Sequence, residues 1–422
     1  MSIVRDIANW QGQLSALPTM HPRRWGVRLL ALGAFAVLVS VLLTPPWASI
    51  GLGACIAGAL LARAPLQQAL RLPWIWCGIA YALWIYVSCA IATFNGLEGA
   101  RLRPPGPTWT WLAAPAVALG LADPRFRARV LSAVVIVLLV SVVLAVVQFC
   151  VGLGAGRLKI DPLGPRFVLA RGFAELHLTF GLGCALLLVL ASQRLSMLPL
   201  SPTSAWLLRS AAFVGLAVCG SRSALLGAAA GVWSTLSARG LKWFLLGCAI
   251  VVVGLAALAG RMLITEPNRA MATVHMQDGR LPIWRTSLHL ISERPLTGWG
   301  GNPGFQPAFR DAYATVNPES QPEFPNGAPH AHNSALALAS QFGVPALILH
   351  VAFWVIAMGW LWRRRAISPE AWQLGVGIVA VAVVGGLFES YATRVLQGVG
   401  IHAALGVALA IGLSSSKETP TE

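Results

Sequence analysis

Charge is what this chain has least of. Charged side chains make up 11% of its 422 residues, less than half of the roughly 25% usual in a soluble globular domain. That shortfall excludes a soluble fold. Acids are scarcest, 15 against 31 lysines and arginines, so no acidic cluster of the kind that cages a divalent ion is expected. Cysteine is sparse and unpatterned. Cys55, Cys77, Cys89, Cys150, Cys184, Cys219 and Cys248 fall in or beside apolar runs without a CxxC, and read as small hydrophobes rather than disulfides or metal ligands. The first 25 residues carry no short apolar core before a small-residue cleavage site, so no cleavable signal is expected. No P-loop lysine accompanies the glycines at 298–304.

What remains is hydrocarbon. Apolar residues make up 56% of the chain, and the mean hydropathy is +0.69. A helix needs about 20 apolar residues to cross a bilayer. Spans are expected near 27–43, 46–62, 73–94, 108–122, 130–152, 175–192, 205–220, 222–238, 243–260, 334–361, 371–388 and 394–414. The expected fold is all-α: a polytopic membrane protein of about twelve helices with one larger loop region carrying short helices. It divides into a bundle at 1–261, a loop or lid at 262–333, and three spans with a short tail at 334–422.

A net charge of +16 does not indicate nucleic acid, because the basic residues are scattered over short loops. They report topology and contact with membrane lipids or an anionic substrate. Arg125, Arg127 and Arg129, with Arg363–Arg365, place those loops and both termini in the cytoplasm. The 262–333 loop then lies outside. So do Arg101, Arg103, Arg157, Lys159, Arg166, Arg171, Arg222, Arg261, Arg280, Arg285 and Arg394, more than topology requires. Half of this surplus is solvation or lipid contact; the rest suits phosphate, because arginine stays charged and offers a fixed fork of donors.

Three motifs carry chemistry. Cys219-Gly-Ser-Arg222-Ser is a short break between apolar runs, where a charge is costly and usually functional; a snorkelling arginine is the bland alternative. Gly279-Arg280-Leu-Pro-Ile-Trp284-Arg285 marks a turn before a helix expected from about 283 to 293, an anion seat. Pro295 to Phe305, rich in glycine, is a tight structural loop. His330-Ala-His332-Asn333 opens an apolar helix; His332 can take a proton near neutral pH, and Asn333 can cap or orient. Glu175, Asp278 and Glu389 are bases or, by default, arginine partners. Zinc at the histidines lacks a recognisable third ligand.

Together, Ser221-Arg222-Ser, Gly279-Arg280 with Trp284, Pro295 to Phe305 and His330-Ala-His332-Asn333 resemble the O-antigen ligase and polymerase superfamily of bacterial envelope proteins. The hydropathy plan agrees over the whole chain; the specific motifs lie between about 220 and 340. The resemblance implies a multi-pass inner-membrane glycosyltransferase, with both termini cytoplasmic and the site facing the periplasm. It would move O-antigen polysaccharide from undecaprenyl pyrophosphate to lipid A-core, with no cofactor. The family's essential groups would fall on Arg222, Arg280 and His332, with substrate contacts from Arg166, Arg171, Trp284, Arg285, His330, Asn333, Glu389 and Arg394. Arginines would stabilise the leaving pyrophosphate, and His332 would deprotonate the acceptor hydroxyl, inverting the anomeric carbon. Alternatives are an O-antigen polymerase, a protein O-oligosaccharyltransferase and, from another class, a transporter of lipid-linked saccharide. A transporter needs polar groups near the bilayer midplane on several helices; here the ionisable residues are expected to cluster at one face.

Overall fold

The computed structural model describes residues 22–63, 67, 69–101, 106–151, 170–174, 176–193, 202–238, 280–317 and 330–414. These form helices and connections, with no strand among the described residues. In chain order the helices are α1 (Pro22–Ser40), α2 (Pro45–Ala62), α3 (Pro73–Phe94), α4 (Pro107–Thr110), α5 (Ala113–Gly120), α6 (Pro124–Val151), α7 (His177–Ser192), α8 (Pro202–Cys219), α9 (Arg222–Ser237), α10 (Arg280–Glu293), α11 (Asn302–Val316), α12 (Ser334–Phe342), α13 (Val344–Arg363), α14 (Pro369–Gly386) and α15 (Val395–Ser414). Proline at the first turn starts many of them, where its missing N–H costs nothing.

Among the described residues six helices are long and apolar enough to cross a membrane: Pro45–Ala62, Pro73–Phe94, Pro124–Cys150, Val344–Arg363, Pro369–Gly386 and Val395–Ser414. His177–Ser192 and Ala205–Cys219 are shorter and also apolar. The chain is thus a multi-pass helical membrane protein, although twelve crossings are not all present as single long helices. The expected span at 108–122 is two pieces, α4 and α5. The expected span at 334–361 is also two, divided at Gly343. The span at 243–260 lies outside the described residues.

Burial ranks the helices. The last, α15, is 89% buried, whereas the other five long helices are 22–44% buried and present apolar faces outward. It is the axis of the bundle, packed by α1, α5, α7 and α14. Leu396, Val399, Ile401, Leu405, Ala408 and Ile411 on its several faces are all enclosed. A helix apolar all round suits such surroundings.

One expectation about polar groups fails here. His350 and His402 sit inside α13 and α15, with ring centroids 5.7 Å apart, so the ionisable residues are not confined to one face. His402 Nδ1 meets the carbonyl of Gly398 at 2.7 Å, and Trp354 Nε1 donates to His350 Nε2 at 3.2 Å. Imidazoles bonded to their own helices in this way are tolerated in an apolar core. They lie on two adjoining helices within an aromatic cluster that includes Phe353 and Trp354.

The segment before α12 has a small core of its own, Leu290, Phe305, Phe309 and Tyr313. It is fastened to the bundle through the break at Gly343. Val344 N donates to the carbonyl of Pro295 at 2.7 Å, Trp299 N to Ser340 at 3.1 Å and Gly301 N to Gln341 at 3.0 Å. From α3, Trp84 Nε1 reaches the carbonyl of Phe342 and Ser88 Oγ that of Thr297. Gly343 has φ 84°, and a Cβ there would collide with the carbonyl of Leu296. Only glycine allows this approach. The glycine-rich loop at 295–305 is thus a structural seat, as its sequence indicates.

Candidate active site

The turn between α14 and α15, residues 387–394, is where the candidate residues meet. Asn333 Nδ2 donates to the carbonyl of Leu387 at 3.3 Å. The Arg280 guanidinium lies 5.6 Å from the Phe388 ring centroid. His332 Nδ1 faces Glu389 Oε1 at 3.5 Å. Ser334 Oγ donates to the carbonyl of Glu389 at 2.9 Å and accepts from Ala392 N at 3.3 Å. Tyr391 Oη lies 3.5 Å from Ser223 Oγ, beside Arg222. Arg394 Nη2 contacts His330 Nε2 at 2.8 Å.

Four helix starts converge on this turn. Arg222 opens α9 behind Ser221, whose Oγ caps Ala224 N at 3.3 Å. Arg280 opens α10, three residues earlier than its sequence suggests. Asn333 caps α12, its Oδ1 accepting from Ala335 N and Leu336 N at 3.0 Å each. His177 opens α7, within electrostatic reach of Glu389 and Arg394. A helix start carries partial positive charge and disfavours a cation. Arginines placed on two of these starts therefore work against the helices that bear them. An anion seated among them reverses the sign of that interaction.

The histidine and its carboxylate are unequally accessible. The side chain of His332 is 30% exposed and that of Glu389 only 6%. Burial alone would raise the Glu389 carboxyl, but the His332 hydrogen bond and the charges of Arg394, His332 and His330 outweigh it and hold it below the ordinary carboxylate range. Glu389 is therefore an anion at neutral pH. At 3.5 Å the contact is long, and neither His332 Nδ1 nor Glu389 Oε2 has a closer hydrogen-bond partner among the described residues; such contacts are often loose before a substrate binds. His332 adopts φ 47°, a left-handed conformation uncommon for histidine. Asn333, spent on capping, holds the next residue. Burial pushes the Tyr391 phenol up, despite its contact with Ser223, so it stays neutral.

His330, His332 and Glu389 have ligand atoms within 4.8 Å of one another, close enough to form a two-histidine, one-carboxylate set. His330 Nε2 already meets Arg394, however. The fixed guanidinium charge opposes a dication at the same place, so a hydrogen-bonded network fits these residues better than a metal.

The remaining candidates are dispersed. Arg171 lies in a separate cavity with Gln148. Arg285 is exposed on α10, and Trp284 is half-buried with Nε1 enclosed and unpartnered. Arg166 and Glu175 fall outside the described residues. Tyr391 and His177 were not foreseen: one tyrosine in a turn and a histidine opening an apolar span give no pattern by themselves, and Ser223, part of the Ser221-Arg222-Ser motif, gave no sign of its contact with Tyr391.

These features define a multi-pass helical membrane protein that gathers arginines and histidines at one cluster of helix ends. A family model described as O-antigen ligase matches residues 207–351, and over that stretch the chain is similar to the family. The matched segment contains Arg222, Arg280, His330 and His332; the 387–394 turn lies beyond it. No curated protein matches the chain.

Proposed function

We propose that the chain is an O-antigen ligase of the bacterial inner membrane, transferring O-antigen polysaccharide from undecaprenyl pyrophosphate to a sugar hydroxyl of lipid A-core. The observation that carries this reading is the meeting of four helix starts, two of them bearing arginine, around a turn that also holds a histidine–carboxylate pair. Arg222 and Arg280 would stabilise the negative charge that develops on pyrophosphate as the glycosidic bond breaks. His332, oriented through Nδ1 by the buried Glu389 carboxylate, would take the acceptor proton on Nε2 as the hydroxyl attacks. One direct displacement inverts the anomeric carbon. Charge neutralisation comes from arginine, so no divalent ion is required. The site would face the periplasm, with both termini in the cytoplasm.

The test is transfer by purified protein from lipid-linked polysaccharide to lipid A-core, in EDTA. Product should form, and Arg222→Lys, which keeps charge but loses the fork, should be slower by about a hundredfold. Strict dependence on a divalent ion would remove the metal-free mechanism. Lengthening of polymer on the lipid carrier, without transfer to lipid A-core, would assign the polymerase reaction instead.

A further inference from the structure

The 387–394 turn carries Glu389, Tyr391 and Arg394 with little regular structure of its own. Its internal backbone bonds lie towards its ends. Phe388 N donates to the carbonyl of Gly385 at 3.1 Å, and Thr393 N and Arg394 N both donate to that of Ser390 at 3.2 Å. The middle is held from α12. Ser334, the first residue of that helix, donates its hydroxyl proton to the carbonyl of Glu389 at 2.9 Å and accepts from Ala392 N at 3.3 Å. One hydroxyl thus spends both its donor and an acceptor lone pair on a single turn. The neighbouring amide is divided in the same way: Asn333 Oδ1 caps α12, while Nδ2 donates to the carbonyl of Leu387. Two glycines leave room for these contacts. A Cβ on Gly386 would come within 3.1 Å of Ser334 Oγ, and one on Gly385 within 2.5 Å of the Tyr391 ring.

The grip on Glu389 is therefore double. Its carbonyl is held by Ser334, and its carboxylate meets His332, two residues earlier, at 3.5 Å. Both partners sit at the start of the same helix, and the φ of 47° at His332 turns the chain just ahead of it. A carboxylate stays with an imidazole only while the backbone behind it is fixed. A displacement of about 1 Å is enough to spoil a catalytic arrangement.

We propose that Ser334 is a positioning residue: its hydroxyl clamps the 389–392 backbone to the start of α12 and so sets the Glu389 carboxylate against His332. This rests on the reading in which Glu389 orients the base of the transfer reaction. The effect of Ser334 is carried by Glu389.

The experiment is a cycle of four full-length proteins in detergent: wild type, Ser334→Ala, Glu389→Gln and the double variant. The first readout needs no substrate. Infrared difference spectra, each against the matching Glu389→Gln protein, isolate the Glu389 carboxyl as pH falls. In the fold that carboxyl is kept below its ordinary range by His332, Arg394 and His330, against the opposing effect of burial. His177 and Tyr391 are the other titratable groups within its field. Loosening the turn weakens the contacts and leaves the burial, so protonation in Ser334→Ala should move to higher pH. The second readout is transfer. Ser334→Ala should lower kcat about tenfold with KM unchanged, the scale of a small misplacement. In the Glu389→Gln background the same change should cost almost nothing, because residues acting as a unit are not additive. An unmoved Glu389 titration in folded Ser334→Ala protein overturns the proposal. So does an equal loss of transfer in both backgrounds, which marks Ser334 as a purely structural residue. Ser334→Cys, similar in size but weak in hydrogen bonding, takes the place of alanine if that variant does not fold, and should move the titration the same way. Wild type that transfers nothing, with the titration shift intact, sinks the ligase reading and leaves the clamp.

Discussion

The two ends of the central helix α15 use the same residue type in opposite ways. At its C-terminal end, Arg127 Nη1 reaches Ser414 Oγ at 2.7 Å and the carbonyl of Ala410 at 3.4 Å, and Arg364 Nη1 reaches the carbonyl of Gly412 at 3.5 Å. Arg364 also lies 4.2 Å from the Trp360 ring centroid. Cations here complete the last carbonyls of a helix and oppose its negative end, a structural use. At the N-terminal end, Arg394 meets a histidine side chain, Glu389 Oε2 and His332 Nδ1 lack good hydrogen bonds, and Arg222 and Arg280 occupy helix starts that repel them. One end is saturated by the protein's own backbone. The other brings basic side chains together at helix starts, where the helices themselves favour negative charge.

The contrast can be broken most sharply at His332. His332→Ala should lower transfer about 10²- to 10⁴-fold, the scale of a lost general base, while the melting temperature in detergent stays that of wild type. Near-normal activity would take the base role away from it. Next comes the opposite end. Arg127→Ala should destabilise the fold by about 2 kcal/mol, from lost hydrogen bonds to a charged group, and leave transfer per folded molecule intact; a specific activity loss without a stability loss would erase the distinction between the ends. The smallest effect concerns acid. The Glu389 carboxyl is held below its ordinary range in the fold, so its stabilisation is complete above the unfolded carboxylate value and disappears as pH falls through the lowered folded value. Glu389→Gln should flatten the acid limb of a melting-temperature profile, and an unchanged limb would mean that the carboxylate is not stabilised as described.

Much of this arrangement is legible in sequence, and the failures have causes. The span read at 73–94 is the helix Pro73–Phe94, because proline and the Asn-Gly pair punctuate an unbroken apolar run. The break at Gly343 was invisible to hydropathy, since apolar residues continue on both sides; it depends on a backbone approach from Leu296, a contact 47 positions away in sequence. Arg222, Arg280 and His332 stand out because polar residues against hydrocarbon are conspicuous. Glu389 was visible, but its service to His332 was not, because the two meet only when α14 and α15 fold beside α12. Tyr391 and Ser223 are common residues whose contact is likewise tertiary.

The interrupted helix at Gly343 bears on how the chain is held in the bilayer. The carbonyls of Ser340, Gln341 and Phe342 at that break are taken by Trp299, Gly301 and Trp84. In lipid each would stand unsatisfied at a cost of several kcal/mol. Residues 334–363 are therefore poorly suited to stand alone in lipid; the 295–301 loop and the indole of α3 supply the donors that the break lacks. The two pieces on either side of Gly343 are thus completed by contacts from distant parts of the chain rather than by their own helical ladder.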